Sequence, residues 1–395
     1  MSFSFVSPLR IEAGEAAVKQ LPNLVKSFGA ERVFVFADPG VVKAGITTPV
    51  TDELDQEGIT YYVYQDLQPE PPIHIGDHAV AALKDFQADL VIGVGGGSAL
   101  DIASAAAVMH GNEGSIEDYL NLSGTKSFQH KGLPKILIPT TAGTGAEITD
   151  IAVFSLENTK DVLTHEYLLA DAAVVDPALT YTVPASITAA TGVDALTHAV
   201  EALVSVNATP LTDTLAMKAI QLISSSIRQA VRDGSNKEAR SNMAWGSMIA
   251  GLSFYNAGVS GVHALAYPLG GMFKVPHGEA NAVLLPYIFD FIWPYATPKM
   301  NMMAQALNVY EEDMSEEEAA KAAVLELKSI VEDVQIPADL THFGVKRDDL
   351  KALTEAATKQ SRLLARSPKS YSYEEIFDRY VAAFEGKLEV SKTHS

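Results

Sequence analysis

Strand-like runs alternate with helical patterns through the first half of the chain, and this alternation constrains the fold more than any other feature. The runs are rich in β-branched and aromatic residues: RVFVFAD (32–38), ITYYVYQDL (59–67), ADLVIGVGGG (88–97), KILIPTT (135–141), IAVFSL (151–156) and AAVVDP (172–177). Helical patterns lie between them, as in EAAVKQLPNLVKSF (15–28), GDHAVAALKDFQ (76–87) and SALDIASAAAVMHG (98–111). Such alternation predicts an α/β fold with a mostly parallel sheet covered by helices.

The pattern changes after DPALTYTVP (176–184), where Pro177 and Pro184 bracket a connector. Long helical periodicities dominate from there. One opens with the capping-box residues Ser315 and Glu318, which can each accept a hydrogen bond from a free backbone N–H at the start of a helix. We therefore predict an α/β domain in residues 1–183 and an all-helical C-terminal domain in residues 184–395.

Composition excludes several classes of function. With 47% hydrophobic and 20% charged residues, the chain resembles a globular protein, and no apolar run approaches the roughly 18 residues that a spanning helix needs. The N-terminal sequence lacks the basic and apolar segments of a secretory signal, so we expect a cytoplasmic protein with no membrane partner. A formal net charge of −20 disfavours nucleic acid as a partner, because such binding depends on cationic contacts to phosphate.

A glycine-rich turn predicts a phosphate-binding site in the first half. VIGVGGGSALD (91–101) is an apolar strand that leads into Gly95, Gly96 and Gly97 and then into a helical pattern near Ser98. This arrangement brings bare backbone N–H groups and a helix N-terminus together, which favours an anion. Ser98 breaks the common G-x-G-x-x-G fingerprint, and a tight turn without a ligand is the alternative interpretation.

A second loop, PTTAGTGAE (139–147), also follows an apolar strand. It offers the hydroxyls of Thr140, Thr141 and Thr144 to a sugar or phosphate. Ligands of parallel sheets collect at the carboxyl ends of strands, so the two loops support each other. Asp38, at the end of another strand, could hydrogen-bond a ribose and repel a 2′-phosphate, which favours NAD over NADP; its alternative role is to open the Asp-Pro-Gly turn.

Four residues of the second half have the chemistry of a transition-metal site. Asp194 and His198 are four positions apart in a helical pattern, so they share one face. The chain has no cysteine, and His263 and His277 would complete a set of one carboxylate and three imidazoles that suits Zn²⁺ or Fe²⁺. The other histidines are interpreted as structural or exposed, namely His74, His78, His110, His130, His165, His342 and His394.

These motifs together resemble the iron-dependent (group III) alcohol dehydrogenases over essentially the whole chain. The resemblance rests on GGGSALD, PTTAGTGAE, DP-x-LT, GVDALTHAVEA and HALAYPLGG…VPHGEANAVLLP, which occur in the family's order and spacing. It implies an N-terminal NAD-binding α/β domain, a C-terminal helical metal-binding domain, and catalysis in the cleft between them.

The resemblance also assigns residues. The implied metal ligands are Asp194, His198, His263 and His277. The implied cofactor contacts are Asp38, Gly95, Gly96, Gly97, Ser98, Thr140, Thr141, Thr144 and Lys160, and Asp38 stands at the position associated with NAD preference. The implied metal is Fe²⁺, with Zn²⁺ as the alternative, and the implied assembly is a homodimer or larger homo-oligomer.

The chain departs from the family pattern at Ala146, where serine is common, and at Tyr267, where many members have a histidine that relays the substrate proton. We expect the first change to matter little. Tyr267 follows His263 by one helical turn, so it could relay a proton or shape the substrate pocket by packing. Phe254 and Met272 are the expected apolar neighbours of this stretch.

The implied reaction is metal-dependent hydride transfer between NAD(H) and a small primary alcohol or aldehyde, or a diol or hydroxyaldehyde. Two alternatives are a zinc-dependent polyol dehydrogenase of the same superfamily and an NAD-using, metal-dependent lyase resembling dehydroquinate synthase. The lyase would require cationic residues for an anionic substrate, and the metal motifs contain only Lys274.

Overall fold

The computed structural model describes residues 3–157 and 160–391, so His394 lies outside the described residues. Two compact units are present. The first, here called the α/β unit, is Val6–Val183; the second, here called the helical unit, runs from Pro184 to the last described residue and also includes residues 3–5. No helix among the described residues is both long and apolar enough to cross a membrane.

The α/β unit is built on a parallel sheet, as predicted. Its described strands are β1 (Arg10–Ala13), β2 (Arg32–Ala37), β3 (Thr60–Tyr64), β4 (Leu90–Gly95), β5 (Lys135–Pro139) and β8 (Ala172–Val175). They lie in the order β1-β8-β5-β4-β2-β3 across the sheet. The central strands run in register, with Val91 opposite Lys135 and Gly95 opposite Pro139. The carboxyl ends of β4 and β5, where the two glycine-rich loops begin, are therefore adjacent.

Helices cover both faces of this sheet, which explains why its central strands are apolar throughout. Successive side chains of a strand point to opposite faces, so Phe34 and Phe36 enter one core cluster while Val33 and Val35 enter the other. The helices of this unit are α1 (Leu21–Ser27), α2 (Pro39–Lys43), α3 (Thr48–Gln56), α4 (Ile73–Phe86) and α5 (Gly97–Met109). The run 15–28 forms a short 3₁₀ turn before α1 rather than one helix.

One predicted strand lies outside the main sheet. The run 151–156 forms β6 (Ile151–Ser155), which pairs antiparallel with β7 (Lys160–Thr164) in a separate two-stranded sheet. Its burial alternates along the strand, with Ala152 and Phe154 buried and their neighbours half-buried. This is the pattern of a strand with one covered face, whereas the central strands of the main sheet are buried on both faces.

The helical unit contains α6 (Ala185–Val204), α7 (Pro210–Arg232), α8 (Lys237–Ala257), α9 (Gly261–Phe273), α10 (His277–Ile292), α11 (Thr297–Ala306), α12 (Glu316–Asp333), α13 (Leu350–Thr358), α14 (Ser361–Leu364) and α15 (Tyr373–Glu385). The capping box is formed as expected. The Ser315 hydroxyl accepts from the backbone N–H of Glu318 at 3.2 Å, and the Glu318 carboxylate accepts from the N–H of Ser315 at 2.8 Å. Sequence and structure thus agree on an all-helical second half.

Close packing of α10 on α6 positions the candidate site. Gly278, the second residue of α10, lies so near α6 that an added Cβ would be 2.4 Å from the carbonyl oxygen of Ala190. A real Cβ almost never comes that close, so only glycine fits there without a shift of backbone. The start of α10 is thereby held beside the turn of α6 that precedes Asp194.

Candidate active site

The structure brings the four predicted metal ligands together in the helical unit. Asp194 and His198 lie on α6, His263 lies on α9, and His277 is the first residue of α10. One ligand atom from each lies within 4.8 Å of all the others. Oδ1 of Asp194 is 3.6 Å from Nε2 of His277, 3.9 Å from Nε2 of His263 and 4.0 Å from Nε2 of His198. A carboxylate oxygen and three imidazole nitrogens therefore face one common point.

Burial prepares these groups to bind a cation. Asp194, His198 and His263 are buried, and the side chain of His277 is 36% exposed. Burial lowers the pKa of His198 to about 4, so its imidazole is neutral near pH 7 and keeps a lone pair for a metal. Burial would raise the pKa of Asp194, but the three imidazoles and the amide of Asn281 together hold that pKa below its usual value.

The donor set fits the metal that the sequence implies. Neutral imidazole nitrogens suit Fe²⁺ and Zn²⁺, whereas Mg²⁺ and Ca²⁺ prefer sites made of oxygen atoms. The buried carboxylate of Asp194 carries a negative charge, which a divalent cation would balance. The residues present thus fit a transition-metal ion.

Two residues that the sequence analysis did not select also belong to this site. Glu201 accepts a hydrogen bond at 2.6 Å from Nδ1 of His263, and Nδ2 of Asn281 lies 2.7 Å from Oδ1 of Asp194. Helical spacing could have identified both residues. Glu201 is one turn after His198 on α6, and Asn281 is one turn after His277 on α10.

Of the two apolar neighbours expected from the sequence, Phe254 contacts the ligand cluster, and Met272 has no described contact with it. The ring of Phe254, on α8, stacks on the imidazole of His198 with centroids 4.1 Å apart and planes 17° apart. Met272 is 45% exposed near the end of α9, and no described contact joins it to the ligand cluster. Phe254 is therefore an immediate neighbour of the ligand cluster, as expected, and Met272 is not placed there by any described contact.

Tyr267 lies beside two of the four ligand residues. Its ring centroid is 6.5 Å from that of His263 and 6.0 Å from that of His277. Burial raises the pKa of the Tyr267 phenol above its ordinary value, and the positive charges of Arg362 and Arg366 oppose this only in part. The phenol thus keeps its proton near neutral pH, where it can donate a hydrogen bond.

The predicted cofactor residues of the first loop cluster in the α/β unit. The carboxylate of Asp38 accepts from the backbone N–H of Gly96, and burial raises its pKa. Gly95 has a φ of +156°, and a Cβ added there would lie 2.5 Å from Oδ2 of Asp38. Gly97 opens α5, so the bare backbone of this loop meets a helix N-terminus beside a carboxylate.

The second loop lies against the first. The N–H of Thr140 donates to the carbonyl of Gly95 at 2.9 Å, and a Cβ on Gly97 would be 3.1 Å from Oγ1 of Thr144. Thr141 is the nearest side chain to Gly96, at 3.9 Å from its ideal Cβ position. The hydroxyls and the backbone N–H groups that the sequence proposed for one nucleotide therefore lie at one edge of the sheet.

Lys160 reaches the first loop through a residue that the sequence analysis did not select. Its ammonium is 2.7 Å from the carboxylate of Glu70, and the backbone N–H of Glu70 donates to Oγ of Ser98 at 3.1 Å. Glu70 has a φ of +49°, a conformation that side-chain-bearing residues seldom adopt. Glu70 thus ties Lys160 to the start of α5.

Two buried carboxyl groups lie close to these loops in sequence. Burial raises the pKa of Asp101, on α5, to about 7, although its carboxylate accepts from the N–H of Val153 at 3.0 Å. Burial also raises the pKa of Glu147, at the end of the second loop, to about 7. Both groups are partly protonated at neutral pH.

Comparisons with known proteins cover both units. Residues 8–177 match the family described as iron-containing alcohol dehydrogenase, and residues 188–384 match the C-terminal part of the Fe-containing alcohol dehydrogenase family. The chain is 55% identical over 383 residues to the long-chain-alcohol dehydrogenase 1 of Geobacillus thermodenitrificans, and the match covers 97% of each protein.

Solved structures show the same fold. A 1,3-propanediol oxidoreductase matches with a TM-score of 0.93 at 32% identity, covering 97% of this chain and 100% of the other. The sulfoacetaldehyde reductase of Bifidobacterium kashiwanohense, solved in complex with NAD⁺, matches with a TM-score of 0.87 at 27% identity, covering 97% and 99%. With its cluster of one aspartate and three histidines, the chain belongs to the iron-containing alcohol dehydrogenase family and is a metal-binding oxidoreductase of alcohols and aldehydes.

Proposed function

We propose that this enzyme uses NAD and Fe²⁺ to interconvert small primary alcohols, diols or hydroxyaldehydes with the corresponding carbonyl compounds. The observation that carries the proposal is the convergence of Asp194, His198, His263 and His277 within 4.8 Å of one another. Zn²⁺ is the alternative cation, because the same four side chains suit both ions.

Those four side chains would hold the metal, and the two loops with Asp38 would hold the cofactor. A divalent cation there supplies Lewis acidity toward a substrate oxygen, and NAD supplies the hydride acceptor. The chain's own contribution is to fix the ligand atoms in advance and to keep their surroundings dry. Phe254 serves both purposes, because its ring covers one face of His198.

NAD preference rests on the position of Asp38. Its carboxylate lies against Gly95 and Gly96, at the turn proposed to bind the pyrophosphate. A carboxylate there can accept from a ribose hydroxyl and would repel a 2′-phosphate. The structural relative in complex with NAD⁺ supports this cofactor. Gly97, Ser98, Thr140, Thr141, Thr144 and Lys160 are the further proposed contacts.

Tyr267 is proposed to shape the substrate pocket and to donate a hydrogen bond. Its ring lies near both His263 and His277. A substrate oxygen at the cation that these histidines are proposed to hold would therefore be close to the ring of Tyr267. A phenol that retains its proton is a poor acceptor for the proton of an alcohol. This assigns Tyr267 a different role from the histidine that many family members have there.

The relatives of this chain are named for substrates of different chain length. The relative at 55% identity is named for long-chain alcohols, and a structural relative at 32% identity is named for 1,3-propanediol. A panel of unbranched primary alcohols from ethanol to hexadecanol, with 1,2- and 1,3-propanediol and lactaldehyde, covers this range. The substrate with the highest kcat/KM defines the class.

The proposed setting is the cytoplasm, and the proposed assembly is a homodimer or larger homo-oligomer, as the family resemblance implies. Light scattering during size-exclusion chromatography measures the assembly. A mass equal to one chain of 42.2 kDa across the working concentration range would contradict it.

The experiment that tests the proposal is an anaerobic purification followed by metal analysis and NADH assays. We expect bound iron and a metal-dependent change in NADH absorbance with at least one primary alcohol or aldehyde of the panel. No metal-dependent change with any substrate would overturn the proposal. Restoration by Zn²⁺ but not by Fe²⁺ would replace iron with zinc as the native metal.

A further inference from the structure

We infer that Glu201 is a positioning residue of the metal centre, because it holds His263 in the tautomer that leaves Nε2, the ring nitrogen on the side of the ligand cluster, able to bind a cation. The inference rests on the proposed function, since it assumes that His263 is a ligand. Glu201 lies on α6 on the same helical face as Asp194 and His198. Its side chain is 1% exposed, and its described hydrogen bond to the ligand residues is with the ring of His263.

The hydrogen bond between Glu201 and His263 fixes the proton on one ring nitrogen. Oε2 of the carboxylate is 2.6 Å from Nδ1 of the imidazole. A carboxylate can only accept, so Nδ1 carries the hydrogen and Nε2 keeps its lone pair. Nε2 is the atom that lies 3.9 Å from Oδ1 of Asp194, within the ligand cluster. The lone pair of Nε2 therefore lies on the side of the ligand cluster, where Nδ2 of Asn281 is 3.1 Å away.

Two further hydrogen bonds keep the carboxylate of Glu201 from turning away. Its Oε1 accepts from the backbone N–H of Val262 at 2.7 Å and from the hydroxyl of Ser260 at 3.1 Å. Ser260 is the N-cap residue of α9, the helix that carries His263, and Val262 lies in the first turn of that helix. Glu201 therefore joins α6 to α9 at the same place where it orients a ligand, and the orientation is set before any cation arrives.

The surroundings of the His198 ring differ from those of the His263 ring. Nδ1 of His198 is buried and has no hydrogen-bond partner among the described residues. Its ring stacks on Phe254, and its Nε2 lies 3.1 Å from Nε2 of His263. Of these two buried imidazoles, only that of His263 is bonded to a carboxylate, so loss of Glu201 should weaken one ligand and leave the other in place. Carboxylates bonded to ligating histidines typically contribute about 10–100-fold to metal affinity.

Glu201→Gln tests the inference without substrate or NAD. The amide can still accept from Val262 through its oxygen, but its NH₂ group donates to Nδ1 of His263 and thereby favours a proton on Nε2. We expect the Kd for Co²⁺, measured by chelator competition, to rise about 10–100-fold. The visible d–d spectrum of the remaining Co²⁺ complex should also change, because one ligand is displaced.

Asp290→Asn is the matched control. Asp290 is a buried carboxylate of α10 that accepts from the backbone N–H groups of Glu389 and Val390, and none of its described hydrogen bonds is to a ligand histidine. Its variant should lose stability and keep the wild-type Co²⁺ affinity and spectrum. Equal Co²⁺ affinity and spectrum in wild type and Glu201→Gln would overturn the inference, as would equal loss of affinity in both variants.

Two outcomes remain distinct from these. Failure of the wild-type protein to bind Co²⁺, Fe²⁺ or Zn²⁺ would defeat the proposed function itself and this inference with it. If Glu201→Gln does not fold, the inference is tested instead on the wild-type protein, labelled with ¹⁵N-histidine and loaded with zinc. Its NMR spectrum should show a protonated Nδ1 on His263, and an unprotonated Nδ1 would overturn the inference.

Discussion

Oδ1 of Asp194 and Nε2 of His277 lie 3.6 Å apart, although they belong to two different helices, α6 and α10. The contact depends on the residue after His277. Gly278 allows α10 to begin directly against the backbone of α6, where an added Cβ would lie 2.4 Å from the carbonyl oxygen of Ala190. The geometry of the metal centre is therefore coupled to the packing of these two helices.

We expect Gly278→Ala to separate the two helices and to weaken the metal centre. Overpacking of a close helix contact costs about 1–3 kcal/mol, which urea unfolding of the helical unit would measure. The Co²⁺ affinity should fall together with the stability. Gly40→Ala is the control, because no atom lies within 4 Å of the added Cβ there. Wild-type affinity in Gly278→Ala would contradict the proposed coupling.

Tyr267→Phe separates a pocket role from a proton relay. The variant keeps the ring that lies near His263 and His277 and removes only the hydroxyl. We expect a change of about tenfold or less in kcat/KM, the scale of one lost hydrogen bond. The shape of the pH–kcat profile should not change. An ionisation that disappears from the profile in the variant would show that Tyr267 transfers the proton.

Asp38 should determine the choice of cofactor. The wild-type enzyme should have a higher kcat/KM with NAD than with NADP, because the carboxylate of Asp38 opposes a 2′-phosphate. Asp38→Asn keeps an oxygen that can accept from Gly96 but removes the charge, so the NAD/NADP ratio should fall by about tenfold or more. A wild-type preference for NADP, or an unchanged ratio in the variant, would contradict this assignment.

The buried carboxyl groups of Asp101 and Glu147 should make stability depend on pH. Burial raises both pKa values to about 7 in the folded protein, whereas both groups lose their protons near pH 4 in an unfolded chain. Between about pH 4 and pH 7 the folded state binds protons that the unfolded state has released. Their contribution to the free energy of unfolding therefore falls as pH rises and is constant above both values.

Asp101→Asn measures this contribution by difference. An amide at this position can still accept from the N–H of Val153 but does not titrate. Relative to the variant, the wild-type protein should lose stability from pH 5 to pH 7, by at most about 1.4 kcal/mol per pH unit. Urea unfolding at both pH values provides the measurement. A wild-type protein that gains stability relative to the variant over this range would contradict the expected burial effect.

The sequence predicted those parts of the fold that local patterns determine. The continuous apolar run that became β4 and the capping box of Ser315 and Glu318 are both local, and both have the expected structure. The run 151–156 was also recognised as a strand, but its partner was not, because Lys160–Thr164 is short and polar. The strand Arg10–Ala13 was missed for a similar reason, since none of its residues is fully buried.

The site shows the same division between local and distant information. Helical spacing relates Asp194 to His198, the chemistry of the donor set suggested His263 and His277, and the family resemblance implied that all four are ligands. Glu201 and Asn281 share faces with selected residues, but periodicity does not show that a side chain of α6 reaches a ring on α9, or that one of α10 reaches Asp194. Those contacts depend on how the helices pack, which one sequence does not specify.

Metal titration of the chelator-stripped enzyme tests the central claim most directly. Fe²⁺ should be added anaerobically to a known concentration of protein while NADH formation is followed with the best alcohol of the panel. We predict that activity is absent without metal, rises in proportion to added Fe²⁺ and saturates at about one ion per chain, as one cluster of four ligands requires. Full activity in the stripped enzyme, or equal metal-dependent activity in Asp194→Ala, would contradict the account.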